Sequence, residues 1–207
     1  MMTRFLFCSV VSLLLSLSFG FTVSAKSQNE SLLAVENGNK LILQNRNDFL
    51  GYACRGTGYN FLGKYDLAEH DFLKAIELKP NEGGLYSQLA SVYYQTGRYD
   101  DSLVSIRKAI SLGQTKEAMF NAELASLNSA AHHSECLERS EEIIRKYPRD
   151  GAAYFYKAMS KMQIGTASSE EILADLAKAR LLSPNDQAIE QEYLKAKVKL
   201  PDQRRLP

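Results

Sequence analysis

The chain has 207 residues, 45% hydrophobic and 24% charged, with 25 Lys+Arg set against 24 Asp+Glu. That is enough apolar material for a folded core, and a net charge of +1 excludes the basic excess with which a dedicated nucleic-acid binder holds phosphates. Three cysteines cannot staple a disulfide scaffold, and 12 Gly with 5 Pro exclude a collagenous or low-complexity chain.

Residues 1–25 read as a secretory signal peptide. Arg4 precedes 19 uncharged residues, Phe5 to Val23, and Ala25 ends the run at a cleavable small residue. The chain is therefore expected to be exported, periplasmic or secreted, with no membrane insertion after cleavage. The alternative is an uncleaved anchor, since the run approaches the roughly 20 residues that span a bilayer. Residues 26–48 form an N-terminal segment. Leu32, Leu33, Val35, Leu41 and Ile42 give it a helical rhythm, broken by Asn37-Gly38-Asn39, which predicts a short capping helix.

From Phe49 the sequence repeats every 34 residues. Tyr52, Tyr86, Phe120 and Tyr154 stand one period apart, as do Tyr59 and Tyr93. Gly63-Lys64-Tyr65 returns as Gly97-Arg98-Tyr99, and Lys74-Ala75-Ile76 as Lys108-Ala109-Ile110. Within a period, Tyr52, Gly56 and Tyr59 share one face of a first helix, and Ala68, Phe72, Ala75 and Ile76 share one face of a second. Gly63 and Gly97 mark the turn between them, while Pro80 and Pro148 close the second helix. A hairpin of this kind cannot cover its own apolar face, so neighbours must stack. The predicted fold is all-α, an α-solenoid of about four antiparallel helix hairpins. Residues 186–200, with Ile189, Tyr193, Leu194 and Val198 on one side, predict a C-terminal capping helix, and 201–207 a disordered tail.

These columns resemble the tetratricopeptide repeat. The repeats run 49–82, 83–116, 117–150 and 151–185. The first matches through Tyr52, Gly56, Tyr59, Gly63, Tyr65, Ala68, Phe72, Ala75 and Pro80. The second matches through Tyr86, Leu89, Tyr93, Gly97, Tyr99 and Ala109. The third departs at Ala131 and His133, where glycine and tyrosine are expected. The fourth keeps Tyr154, Ala158 and Gly165 and needs a two-residue insertion near 166–169. The resemblance implies a superhelix whose first helices line a concave groove for peptide segments of partner proteins. It implies no cofactor and no catalysis.

Carried over by columns, the groove set is Asn60, Phe61, Tyr94, Gln95, Asn121, Asn128, Phe155, Met159 and Met162. The asparagines would pair with a peptide backbone, and the large side chains would supply apolar contact. None of the twenty residues in the five groove columns is charged. The Lys/Arg clamp by which some members hold acidic C-termini of cytosolic chaperones is thus absent, in keeping with export.

Other chemistry is weaker. Gly58 to Tyr65 approaches a phosphate-binding loop but has Tyr65 where Ser or Thr must hold Mg²⁺, and its spacing is helical. His132 and Cys136 fall on one helical face at metal-ligand separation with no third ligand nearby, so a metal or redox module is a minor alternative to packing. The function expected is a non-catalytic scaffold or adaptor that binds a protein partner through an uncharged groove. A homo-oligomeric structural protein is the first alternative.

Overall fold

The 34-residue period folds as helix pairs. The computed structural model describes residues 25–114, 117–165 and 167–199, and the regular structure among them is ten α-helices. They are α1 (Ala25–Gln44), α2 (Phe49–Phe61), α3 (Tyr65–Leu78), α4 (Gly83–Gln95), α5 (Tyr99–Ser111), α6 (Glu117–Ser129), α7 (His133–Lys146), α8 (Gly151–Ile164), α9 (Ser169–Leu182) and α10 (Gln187–Lys199). The architecture is an all-α helical-repeat solenoid, with hairpins α2/α3, α4/α5, α6/α7 and α8/α9. The helices fall into two compact units that divide after Gln114. The predicted signal peptide up to Ser24 and the predicted tail lie outside the described residues. No described helix is long and apolar enough to cross a membrane.

In the first unit α1 packs on α2, α2 on α3, α3 on α4, and α4 on α5, with α2 also touching α4. The core there is built from Ala68, Phe72, Leu89, Val92 and Tyr93, with Tyr59, Tyr65 and Ile76 packed against it. Full burial of a side chain such as Phe72 or Leu89 stabilises the fold by about 1.5–3 kcal/mol. In the second unit α6 touches α7 and α8, α7 packs on α8, α8 on α9, and α9 on α10.

The turns repeat with the helices. Gly63, Gly97 and Gly165 take φ of 69°, 76° and 74°, a left-handed conformation that costs glycine little. The following amide closes the helix end by a long-reaching bond: Lys64 N–H to Tyr59 O at 2.9 Å, and Arg98 N–H to Tyr93 O at 2.8 Å. The third repeat makes the same bond, His132 N–H to Leu127 O at 2.9 Å, although alanine fills the glycine column. Ala131 accordingly sits at φ 59°. Its Cβ is strained there, so Ala131→Gly is expected to stabilise the chain by about 1 kcal/mol in urea unfolding.

Loops between repeats are held by the aromatic column. Tyr52 and Tyr86 donate their hydroxyls to Arg46 O (3.2 Å) and Pro80 O (3.0 Å). Phe120 lacks a hydroxyl and instead packs on Tyr147 at 5.6 Å.

The N-terminal helix departs from the sequence expectation. It runs 20 residues without interruption through Asn37-Gly38-Asn39. Gly38 is used for close approach rather than for a turn: a Cβ there would lie 2.6 Å from Arg55 Cβ and 2.7 Å from Gly51 O. Residues 31–44 stand one period before α3, and Ala34 occupies the small buried column of Ala68, Ser102 and Cys136. In sequence register α1 is a second-type helix. At the other end, Asp186 Oδ1 accepts from Ala188 and Ile189 N–H, and Arg180 bonds Glu190 and lies over the Tyr193 ring. Of the four apolar residues expected to face inward on α10, Ile189 is buried, whereas Leu194 and Val198 stay exposed.

Asp150 caps α8. Its Oδ1 accepts from Ala153 N–H at 3.0 Å, while Oδ2 is buried with no hydrogen-bond partner among the described residues. Burial pushes this carboxyl above the usual aspartate range. The protonated form is therefore favoured by folding, and the associated stability is fully present below the ordinary aspartate range of about 3.9. It is lost as pH rises through the folded-state value. Asp150→Asn keeps the capping oxygen without the charge. Urea unfolding across pH is expected to show a gain of roughly 1 kcal/mol at neutral pH, vanishing in acid.

Candidate functional site

First helices carry very little charge, and its placement decides what face they present. Arg55 on α2, Glu123 on α6, and Lys157 and Lys161 on α8 all turn toward a second helix. Arg55 makes a two-pronged contact with Asp71 on α3, at 2.8 Å through both Nε and Nη2, and its Nη1 donates to Asn39 on α1 at 3.0 Å. Arg139 on α7 meets Glu123 at 2.9 Å. Lys161 meets Asp175 on α9 at 2.8 Å, with Lys157 at 4.0 Å from the same carboxylate. Helix α4 has no charged residue. Lys157 also lies 3.5 Å from Glu141 of α7, in the preceding hairpin. With these charges paired to second helices, the groove columns of the first helices are neutral.

The nine predicted groove residues fall into two sets. Asn60 and Phe61 on α2 and Tyr94 and Gln95 on α4 belong to the first unit, whose first helices are neighbours. Asn121 and Asn128 on α6 and Phe155, Met159 and Met162 on α8 belong to the second, where α6 and α8 also touch. Gln95 is exposed and the other eight are half-buried. Tyr94 stands edge-on to Tyr99 at 5.2 Å, and Phe155 edge-on to Tyr156 at 5.3 Å. The Oδ1 of Asn121 is buried with no hydrogen-bond partner among the described residues. Thr57 and Ala125, in the middle groove column, are buried and offer little surface.

Phe61 has a neighbour that sequence spacing did not suggest. With Leu62, Gly63 and Tyr65 it lines a recess of about 270 Å³ whose remaining wall is Gln28 of α1. A separate recess of about 380 Å³ lies among Leu73, Ile76, Tyr86, Leu89, Tyr93 and Val104, and none of the predicted groove residues lines it.

His132 and Cys136 do not form a centre. His132 is the N-cap of α7, partly exposed and 3.9 Å from Glu135, whereas Cys136 is fully buried. Cys136 Sγ donates to Leu124 O, one period after Ser102 Oγ donates to Ala90 O. The thiol thus takes the part of a serine hydroxyl. Burial pushes its pKa up, opposite to the depression that makes a thiol reactive. No group of three or more metal-ligating side chains occurs among the described residues.

Comparison with known proteins agrees with the helical-repeat fold. Residues 55–82 and 84–115 match the family model described as tetratricopeptide repeat. Over those two stretches the chain carries repeats of the tetratricopeptide type. Proteins built from them are generally non-catalytic scaffolds for protein–protein interaction. A curated relative, small glutamine-rich tetratricopeptide repeat-containing protein 2 of Mycosarcoma maydis, is 26% identical over 102 residues. That match covers 49% of this chain and 29% of the relative. Among solved structures, YrrB, described as a TPR protein with an unusual peptide-binding site, superposes with a TM-score of 0.63 at 18% identity. It covers 79% of this chain and 84% of its own. MamA gives a TM-score of 0.66 at 18% identity, covering 87% of this chain and 99% of its own. At such identities the likeness speaks to the fold alone.

Proposed function

We propose that the chain is a non-catalytic scaffold or adaptor that holds an extended peptide segment of a protein partner against its first-helix faces. The observation that carries this reading is that the groove columns hold no charge while Arg55, Glu123, Lys157 and Lys161 pair with second helices, Glu117 at the start of α6 being the exposed first-helix charge outside those columns. A neutral face selects against strongly charged ligands and favours backbone pairing plus apolar contact. Asn121, whose Oδ1 lacks a partner, would accept a peptide N–H after a small side-chain rotation, and Tyr94 and Phe155 would supply apolar anchors. YrrB, with its peptide-binding site, is similar in fold and supports the reading by analogy. Export fits the uncharged run from Phe5 to Val23 and the missing basic clamp. Partners would then be met in the periplasm or outside the cell.

The test places a photo-crosslinking residue at Tyr94 or Phe155 and, as a control, at the exposed Val104. Crosslinks from both positions, those from Phe155 lost when Asn121 and Asn128 become alanine in a folded chain, are the expected result. Equal crosslinking from Val104 would overturn the groove assignment. A second reading, self-association, draws on Leu194, which is 49% exposed although its column residues Ala90, Leu124 and Ala158 are buried. A concentration-dependent mass abolished by Leu194→Glu would favour it.

A further inference from the structure

Ion pairs occupy one equivalent position in the first, third and fourth hairpins, and their polarity changes along the chain. Arg55, Leu89, Glu123 and Lys157 stand 34 residues apart on the first helices. Asp71, Ser105 and Arg139 stand 34 apart on the second helices, and the two-residue insertion brings Asp175 into the same column. The pairs therefore read cation–anion in the first hairpin, Leu–Ser in the second, anion–cation in the third and cation–anion in the fourth, where Lys161 holds Asp175 at 2.8 Å and Lys157, 4.0 Å from Asp175, lies 3.5 Å from Glu141 of α7. One partner of the first and third pairs is deeply buried, the Asp71 side chain being 2% exposed and that of Glu123 6%, while that of Asp175 is partly buried at 14%.

We propose that this alternation is a pairing code that makes each first helix select its own second helix. Repeats of similar sequence can exchange helices, within a chain or between two copies, because every first helix presents much the same apolar face. The charges remove that degeneracy. Placing α2 against α7 sets Arg55 against Arg139. Placing α6 against α3 sets Glu123 against Asp71. A slip by one repeat that pairs α2 with α5 leaves Arg55 facing Ser105, a charge with no counterion. A buried charge without its partner is strongly disfavoured, so each exchange is penalised before packing is considered. The combinations that remain compatible join hairpins one and four, which are furthest apart in the chain.

Two variants of the full chain separate this from simple space-filling. E123R/R139E, with Glu142→Gln to remove the neighbouring like charge, keeps an ion pair but gives the third hairpin the polarity of the first and fourth. E123L/R139S installs the pair of the second hairpin. Each is unfolded in urea and refolded at two protein concentrations, and the yield of native-sized, native-helicity chain is measured by size-exclusion chromatography with light scattering. Both variants are expected to keep close to the native unfolding midpoint yet give several-fold more misassembled or dimeric material, increasing with concentration. If E123R/R139E/E142Q does not fold, E123L/R139S decides by the same readout. Refolding of the folded variants to the native form with the yield of the unmodified chain would overturn the code.

Discussion

Arg55→Leu is expected to destabilise the first unit by about 3–5 kcal/mol, although it installs the residue that stands in the same column of the second repeat. The reason is what it leaves behind. Asp71 is 1% exposed and both of its oxygens are held by the Arg55 guanidinium at 2.8 Å. Without that partner an ionised carboxylate remains inside α2/α3, with only the largely exposed His70, at 3.5 Å, as a neighbouring base. The same substitution also removes the bond from Arg55 to Asn39 that ties α1 to the hairpin. Adding Asp71→Ser completes the second repeat's pair and should recover most of the loss, to within about 1–2 kcal/mol of the native chain, because an ion pair replaced as a whole is often neutral. Urea unfolding of the two single variants and the double variant measures the coupling. A single variant as stable as the double would show that Asp71 is not dependent on Arg55.

The hairpins were legible because their columns are carried by residue types with one local use. Glycine at 63, 97 and 165 permits a left-handed turn, and alanine at 68, 75 and 109 permits close helix contact. Ala131 shows that the turn outlasts its glycine: tertiary register imposes the left-handed conformation even where the side chain resists it. Asn37-Gly38-Asn39 misled for the complementary reason. The same residues that break an isolated helix serve, once α2 is present, to let two backbones approach and to accept a bond from Arg55. The ion pairs were hidden by the repeat pattern itself, since charged residues in a leucine column look like decay of the motif. The readable signal was compensation: Arg55 with Asp71 and Glu123 with Arg139 are both 16 residues apart and opposite in sign. The groove could be placed on helices by column but not graded, because burial of Thr57 and Ala125 and the recess that Phe61 shares with Gln28 depend on packing between repeats and α1.

Gly58→Val should release α1 from α2 at a cost near the upper end of the ~1–3 kcal/mol typical of overpacking. A Cβ at Gly58 would lie 2.7 Å from Ser31 O and 2.7 Å from Val35 Cγ2, and the first of these is backbone that cannot move without the whole helix. Gly38 and Gly51 make comparably close approaches along the same interface, so the helix cannot slide to relieve one contact without worsening another. The site also supplies its own reporter. Cys54 is half-buried and its Sγ donates to Ala34 O at 3.4 Å, so loosening α1 exposes the thiol. Thiol labelling at Cys54 is expected to accelerate by an order of magnitude or more, as the opening cost falls by about 1.4 kcal/mol per tenfold. Amide exchange should rise in α1 while α4 and α5 stay protected. Gly84→Val provides the contrast, because a Cβ there meets nothing nearer than Glu82 Oε1 at 3.6 Å. It should leave Cys54 labelling unchanged. If the two variants label alike, α1 is not held by backbone approach at Gly58.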